Sequence, residues 1–231
     1  MFDATIISDV HLGAHNCQSQ MLLKFLGEVK CNTHQTKKLI IAGDLFDSFN
    51  VRLRKEEWKV LGAIRALSND IEVVWVKGNH DDFHEAKTVS YLLGAEFQPI
   101  HHIFETGEKK VIVLHGDIFD TFLSDHPFLT WISDWIYWFL QRIDRSHHIA
   151  KLAKYSSKSY LHCSDTVAKE SVLYAIKWEC DIAIAGHTHL ALKQEKYFNS
   201  GSWTELPCSY LTVKEGVVEL NYYSQECSVN P

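Results

Sequence analysis

A chain of 231 residues with 46% hydrophobic content is long enough to bury one sizeable core and still carry an insertion. Its formal net charge of −6 excludes a global basic field that would steer it to nucleic acid or an anionic bilayer, so any anion must be recognised locally. Six scattered cysteines, Cys17, Cys31, Cys163, Cys180, Cys208 and Cys227, include no C-x-x-C pair and read as reduced thiols rather than a disulfide framework.

The first strand is predicted at Ala4-Thr5-Ile6-Ile7, close to Met1, which leaves no room for a signal peptide. No apolar run approaches the roughly 20 residues needed to cross a bilayer, so a cytoplasmic protein is expected. Asp9-Val10-His11 follows the strand. Met21 to Val29 then sets Leu22, Leu23, Phe25, Leu26 and Val29 at mostly helical spacing. A second strand, Leu39-Ile40-Ile41-Ala42, closes on Gly43-Asp44-Leu45-Phe46-Asp47. A helix over Lys55 to Leu67 places Trp58, Leu61, Ile64, Ala66 and Leu67 on its apolar face. After Ser68-Asn69-Asp70 the strand Val73-Val74-Trp75-Val76 leads into Gly78-Asn79-His80-Asp81, so the first 80 residues read β-α-β-α-β.

Two more apolar runs end in the same manner. Val111-Ile112-Val113-Leu114 precedes His115-Gly116-Asp117, and Ile182-Ala183-Ile184-Ala185 precedes Gly186-His187-Thr188-His189. Past His189 the pattern predicts short strands at Lys196 to Phe198, Ser209 to Val213 and Val217 to Tyr223, with a hairpin turn at Lys214-Glu215-Gly216. The whole reads as a single α/β or α+β domain over residues 1–231, with two sheets face to face and helices outside.

Between about 119 and 164 the strand rhythm stops. Phe128, Leu129, Trp131, Ile132, Trp135, Ile136, Trp138, Phe139 and Leu140 cover most of one helical surface, which must be buried or meet something apolar. Arg142, Arg145, Lys151, Lys154 and Lys158 follow. A helical cap inserted into the α/β body is expected. One amphipathic segment beside lysines is also compatible with peripheral contact on the inner membrane surface.

Five times, then, a buried strand ends on a hard or borderline metal ligand, at the strand C-termini where ligands gather. Aspartate, histidine and asparagine without cysteine suit manganese, iron, zinc or magnesium. Seven candidate ligands are too many for one ion, and a bridging carboxylate shares them between two. Two ions about 3.5–4 Å apart can activate water, clamp phosphoryl oxygens and stabilise a leaving oxygen, which fits hydrolysis of a phosphate ester or anhydride. Asp47, Asp81 and Asp117 read as supports that orient histidines or loops. The paired His101-His102 and His147-His148 lie outside the strand-tip blocks and read as surface or cap residues.

D-x-H, G-D-x-x-D, G-N-H-D, H-G-D and G-H-T-H in this order resemble the calcineurin-like metallophosphoesterase superfamily. The resemblance implies a four-layer αββα sandwich with a binuclear site at the strand tips. It assigns Asp9, His11 and His189 to one metal, Asn79, His115 and His187 to the other, and Asp44 to both. It makes His80 the catalytic residue that protonates the leaving group or holds a phosphoryl oxygen, with Asp81 as its orienting partner.

The F-D after G-D-L, the extended H-G-D-x-x-D, the insertion and the run Ser156-Ser157-Lys158-Ser159 further resemble UDP-2,3-diacylglucosamine pyrophosphate hydrolases. So do the spacing from that run to G-H-T-H and the later Gly201-Ser202-Trp203. That likeness implies cleavage of a lipid nucleotide to UMP and a lipid monophosphate in lipid A synthesis. Manganese is the implied metal, and a helical cap holds the acyl chains. Lys158 becomes the first substrate-binding candidate, followed by Ser157, Lys154 and an acid among Asp120 and Asp125. One position departs: the best-characterised branch of that family carries arginine where His80 stands, while most other phosphoesterases carry histidine.

Three other readings compete. A nucleic-acid phosphodiesterase would need a basic stripe, which the charge pattern lacks. A non-catalytic metal scaffold would tolerate lost ligands, and none is lost here. A general phosphatase or phosphodiesterase for small soluble esters explains His80 but leaves the apolar cap without a purpose.

Overall fold

The structure, a computed structural model, describes residues 1–30, 34–120 and 158–224, with side chains from 161 in the last stretch. Most of the predicted cap lies outside these residues. So do Asp125, Lys154 and Ser157, and Lys158 is described in its backbone alone.

Strands β1 (Ala4–Ile7), β2 (Lys38–Ala42), β3 (Glu72–Val76) and β4 (Glu96–Gln98) pair in parallel. The connecting helices are α1 (Ser19–Lys30), α2 (Lys55–Leu67) and α3 (Phe83–Leu93). A second sheet begins with the antiparallel pair β5 (His101–Thr106) and β6 (Lys109–Leu114). Helix α4 (Lys158–Lys177) then leads to β7 (Ile182–Ala185), β8 (Leu192–Lys193) and β9 (Tyr197–Asn199). The chain returns to the first sheet with β10 (Cys208–Lys214) and β11 (Val217–Tyr223). The strand orders are β11-β10-β1-β2-β3-β4 and β5-β6-β7-β9-β8.

Period-2 alternation divides each apolar run between two cores. Ala4, Ile6, Ile40, Ala42, Val74 and Val76 face Val111, Val113, Ile182, Ile184 and Phe198 across the gap between the sheets. The intervening Ile7, Leu39, Ile41, Val73 and Trp75 turn outward onto Leu22, Phe25, Leu26, Val60 and Ile64 of α1 and α2. On the far side Ile112, Leu114, Ala183 and Ala185 meet Ala168 and Ala175 of α4. Strands covered on both faces read as continuous apolar runs. The layers are α, β, β, α, as the sequence predicts.

The β10–β11 hairpin closes through Glu215 and Gly216, both at positive φ (49° and 77°), the type I′ conformation that matches strand twist. Helix α4 runs past the predicted end of the insertion at 164, because Val167, Ala168 and Ala175 are buried against the second sheet. Two side chains correct the sequence reading. Trp58 is 62% exposed, whereas Glu57 beside it is fully buried. Its carboxylate accepts from Gly13 N (3.1 Å), Arg54 N (2.6 Å) and Arg54 Nη2 (2.6 Å), which anchors the loop after His11 to the start of α2. His102 is buried within β5 rather than on the surface, its Nε2 3.0 Å from Lys38 Nζ.

Candidate metal centre

Loops leaving β1, β2, β3, β6 and β7 converge at one end of the two sheets. Asp9, His11, Asp44, His187 and His189 all take positive φ, between 50° and 66°. Such a conformation costs about 1–3 kcal/mol for a residue with a side chain, and the backbone around it supplies compensating bonds. Val10 N and His11 N both donate to Asp44 O (3.0 Å each), Leu12 N to Leu45 O (2.9 Å), and Trp203 N to Asp9 O (3.0 Å). Gly186 N donates to His115 O (3.0 Å), tying the tips of the second sheet together. Two motif glycines are needed for close approach. A Cβ at Gly43 would collide with the His115 ring, and one at Gly78 with the Asp44 carboxylate.

The predicted ligands form two adjoining groups. In the first, His189 Nε2 lies 3.2 Å from Asp9 Oδ1 and 3.3 Å from His11 Nε2. In the second, Asn79 Oδ1 lies 3.0 Å from His115 Nε2 and 3.1 Å from His187 Nδ1. Asp44 Oδ2 stands between them, 3.6 Å from His11 Nε2 and 3.3 Å from His115 Nε2, while Oδ1 accepts from His80 N (2.9 Å). All seven predicted ligands therefore meet at one place.

Of the two roles expected of Asp81, support of the loops and orientation of His80, the structure shows the first. Asp47 does steady His11, its Oδ1 3.4 Å from Nδ1. Asp81, however, is not the partner of His80. Its buried carboxylate is taken up by Asp44 N (2.8 Å), Gly78 N (3.0 Å), Trp75 Nε1 (3.1 Å) and Phe46 N (3.3 Å), so it pins the second and third loops together. The His80 ring is held by Asp47 O, 2.9 Å from Nδ1, and packs edge-on to His11 with centroids 4.8 Å apart. Asp120, expected among the substrate contacts, has Oδ2 2.9 Å from His187 Nε2 and only 7% of its side chain exposed. Sequence reasoning missed Asn199, whose Nδ2 donates to Gly186 O (2.6 Å), and Ser8, whose Oγ donates to Gly201 O (3.0 Å). Neither carries a motif signal.

The donor set fits cations. Asp9 Oδ1 is buried and receives no well-aligned hydrogen bond, its near neighbour being His189 Nε2 at 3.2 Å, and a buried carboxylate oxygen in that position is costly unless a positive charge meets it. Burial pushes the Asp9 carboxyl up, but the His189 imidazole more than offsets this and holds it down at about 2. Asp44 likewise stays well below the usual carboxylate range despite burial, chiefly through His115. Burial alone would lower the His115 pKa, yet Asp44 overrides it and raises it to about 10. Two buried anions thus favour positive charge among imidazoles, the electrostatics of a divalent site. The groupings Asp9–His11–His189 and Asp9–Asp44–His115 each bring their ligand atoms within 4.8 Å of one another.

The family profile described as calcineurin-like phosphoesterase matches residues 3–191, from β1 through the last ligand loop. The chain belongs to this family. Over 121 residues this calcineurin-like phosphoesterase is 30% identical to the UDP-2,3-diacylglucosamine hydrolase of Bordetella pertussis, covering 50% of this chain and 46% of the relative. The Bordetella parapertussis counterpart matches to the same extent. The chain thus spans about half the length of the curated relatives it matches. An archaeal phosphodiesterase superposes with a TM-score of 0.52 over 95% of this chain and 98% of its own, at 14% identity, a likeness of fold. Among the described residues no helix is long and apolar enough to cross a membrane.

Proposed function

We propose that this phosphoesterase uses two divalent ions, manganese first, to split the pyrophosphate of UDP-2,3-diacylglucosamine or a related lipid nucleotide into UMP and a lipid monophosphate. The observation that carries the substrate is the 30% identity to hydrolases of that name, added to a complete ligand set. The predicted apolar cap with Lys154, Ser157 and Lys158 would hold the acyl and phosphate ends. On this reading the enzyme works in the cytoplasm, in peripheral contact with the inner membrane surface that supplies its substrate.

When bound, the two ions supply an activated water and a clamp on the phosphoryl oxygens. The chain's own residues set the geometry. Asp44 Oδ2, shared by both groups of ligands, keeps them adjacent. His80 is exposed at the rim of the centre. With Nδ1 held by Asp47 O, it presents Nε2 to substrate, either to protonate the leaving oxygen or to hold a phosphoryl oxygen. His80→Ala is expected to lower kcat by about 10²–10⁴-fold with manganese content unchanged. An unchanged kcat would remove His80 from the chemistry.

The function is tested by supplying purified protein and Mn²⁺ with UDP-2,3-diacylglucosamine, beside bis(p-nitrophenyl) phosphate. Release of UMP and lipid phosphate in preference to nitrophenol supports the proposal. Turnover of the nitrophenyl ester alone would replace it with the second reading, a general phosphodiesterase of small soluble esters, which a histidine at position 80 favours.

A further inference from the structure

Four of the predicted ligands are histidines, and one of them is turned around. His11, His115 and His189 direct Nε2 inward and give Nδ1 to a support. Those supports are Asp47 Oδ1 at 3.4 Å, Ala42 O at 2.9 Å and Thr204 Oγ1 at 3.4 Å. His187 reverses this: Nδ1 faces Asn79 Oδ1 at 3.1 Å, and Nε2 faces Asp120 Oδ2 at 2.9 Å. A neutral imidazole carries one N–H, and the hydrogen bond made by one nitrogen decides which lone pair the other can offer. We propose that Asp120 is a positioning residue for His187: its carboxylate accepts the Nε2–H and so keeps the Nδ1 lone pair and the ring plane directed at the Asn79–His115 half of the centre. The assignment rests on the two-metal reading of that centre.

Four observations support it. Both side chains are buried, at 8% and 7% exposure, so water competes little for the bond. The backbone of Asp120 is fixed by a 3₁₀ turn over Asp117–Phe119, with Asp120 N donating to Asp117 O (3.0 Å). Phe119 in that turn packs against Tyr174 of α4, ring centroids 5.6 Å apart. Finally, the thiol of Cys163 on α4 meets the same carboxylate. Asp120 therefore stands between a ligand loop of the second sheet and the helix that covers it. This accounts for the second acid of H-G-D-x-x-D, which sequence reasoning placed among substrate contacts.

The test compares the full chain with Asp120→Asn and Asp120→Ala, each first checked for wild-type circular dichroism. Manganese titration of the wild type should show two ions. In Asp120→Ala one ion should bind as in the wild type and the other about 10–100-fold more weakly. Asp120→Asn should fall between, because an amide oxygen still accepts the Nε2–H without the charge. Long-range ¹H–¹⁵N spectra of magnesium-loaded protein should place the His187 proton on Nε2 in the wild type and show that signature lost or mixed in Asp120→Ala. If Asp120→Ala binds both ions normally and only its KM rises, Asp120 is a substrate contact and the proposal is wrong. Should Asp120→Ala not fold, metal affinity of Asp120→Asn decides. A wild type that binds fewer than two ions overturns the two-metal reading itself, a failure distinguishable from that of Asp120.

Discussion

Asp44→Asn is expected to reduce bound manganese from two ions to one or fewer and to lower turnover on the order of 10³-fold or more, a loss at least as large as removing one transition-state donor. The substitution keeps the side chain's shape. One polar oxygen can still accept from His80 N, as Oδ1 does at 2.9 Å. What changes is the position of Oδ2, where a shared negative oxygen becomes a neutral amide facing His11 Nε2 and His115 Nε2. A bridging role needs that charge and both lone pairs. Metal analysis together with phosphodiester hydrolysis reads both consequences, and a thermal melt confirms that the fold persists. Two retained ions with normal turnover would take the bridging role away from Asp44.

Asp81→Ala is expected to act through the fold. Four donors, Asp44 N, Gly78 N, Trp75 Nε1 and Phe46 N, converge on its buried carboxylate. Alanine would leave them buried without acceptors, at a cost of about 3–5 kcal/mol in total. For a chain of this length that lowers Tm by on the order of 10 °C. The loops bearing Asp44 and Asn79 lose their common anchor, so metal affinity should fall with stability. His80→Ala should leave both intact. If Asp81→Ala instead reproduced His80→Ala, losing turnover at wild-type Tm and metal content, Asp81 would be an orienting partner of His80 after all.

Much of this was legible along the chain because the informative signals are local. Strands buried on both faces must be apolar at every position, so runs such as Leu39-Ile40-Ile41-Ala42 announce themselves and their ends mark the tips. Helices α1 and α2 follow from spacing within one or two turns, and α2 begins and ends where the spacing places it. Trp58 misled because periodicity counts apolar residues, whereas the buried position went to Glu57, whose bonds lie with Gly13 and Arg54. The edge strands β4, β5 and β8 carry no such signature, since few positions at a sheet edge need be apolar.

The sequence alone determined that five strand tips carry seven aspartate, asparagine and histidine residues of the kind that bind divalent metals, because a buried strand and the residue that ends it are both read from neighbouring positions in the chain. Only the tertiary structure decided what each acid meets: Asp81 the donors of two loops rather than the His80 ring, and Asp120 the imidazole of His187. Those pairings join residues as far apart as Asp120 and His187, and they depend on neighbouring parallel strands, β2 with β3 and β6 with β7, bringing their tips side by side. A carboxylate looks the same in the chain whether it will meet a metal, a backbone amide or an imidazole. What distinguishes the three is the set of donors that the folded chain brings to it.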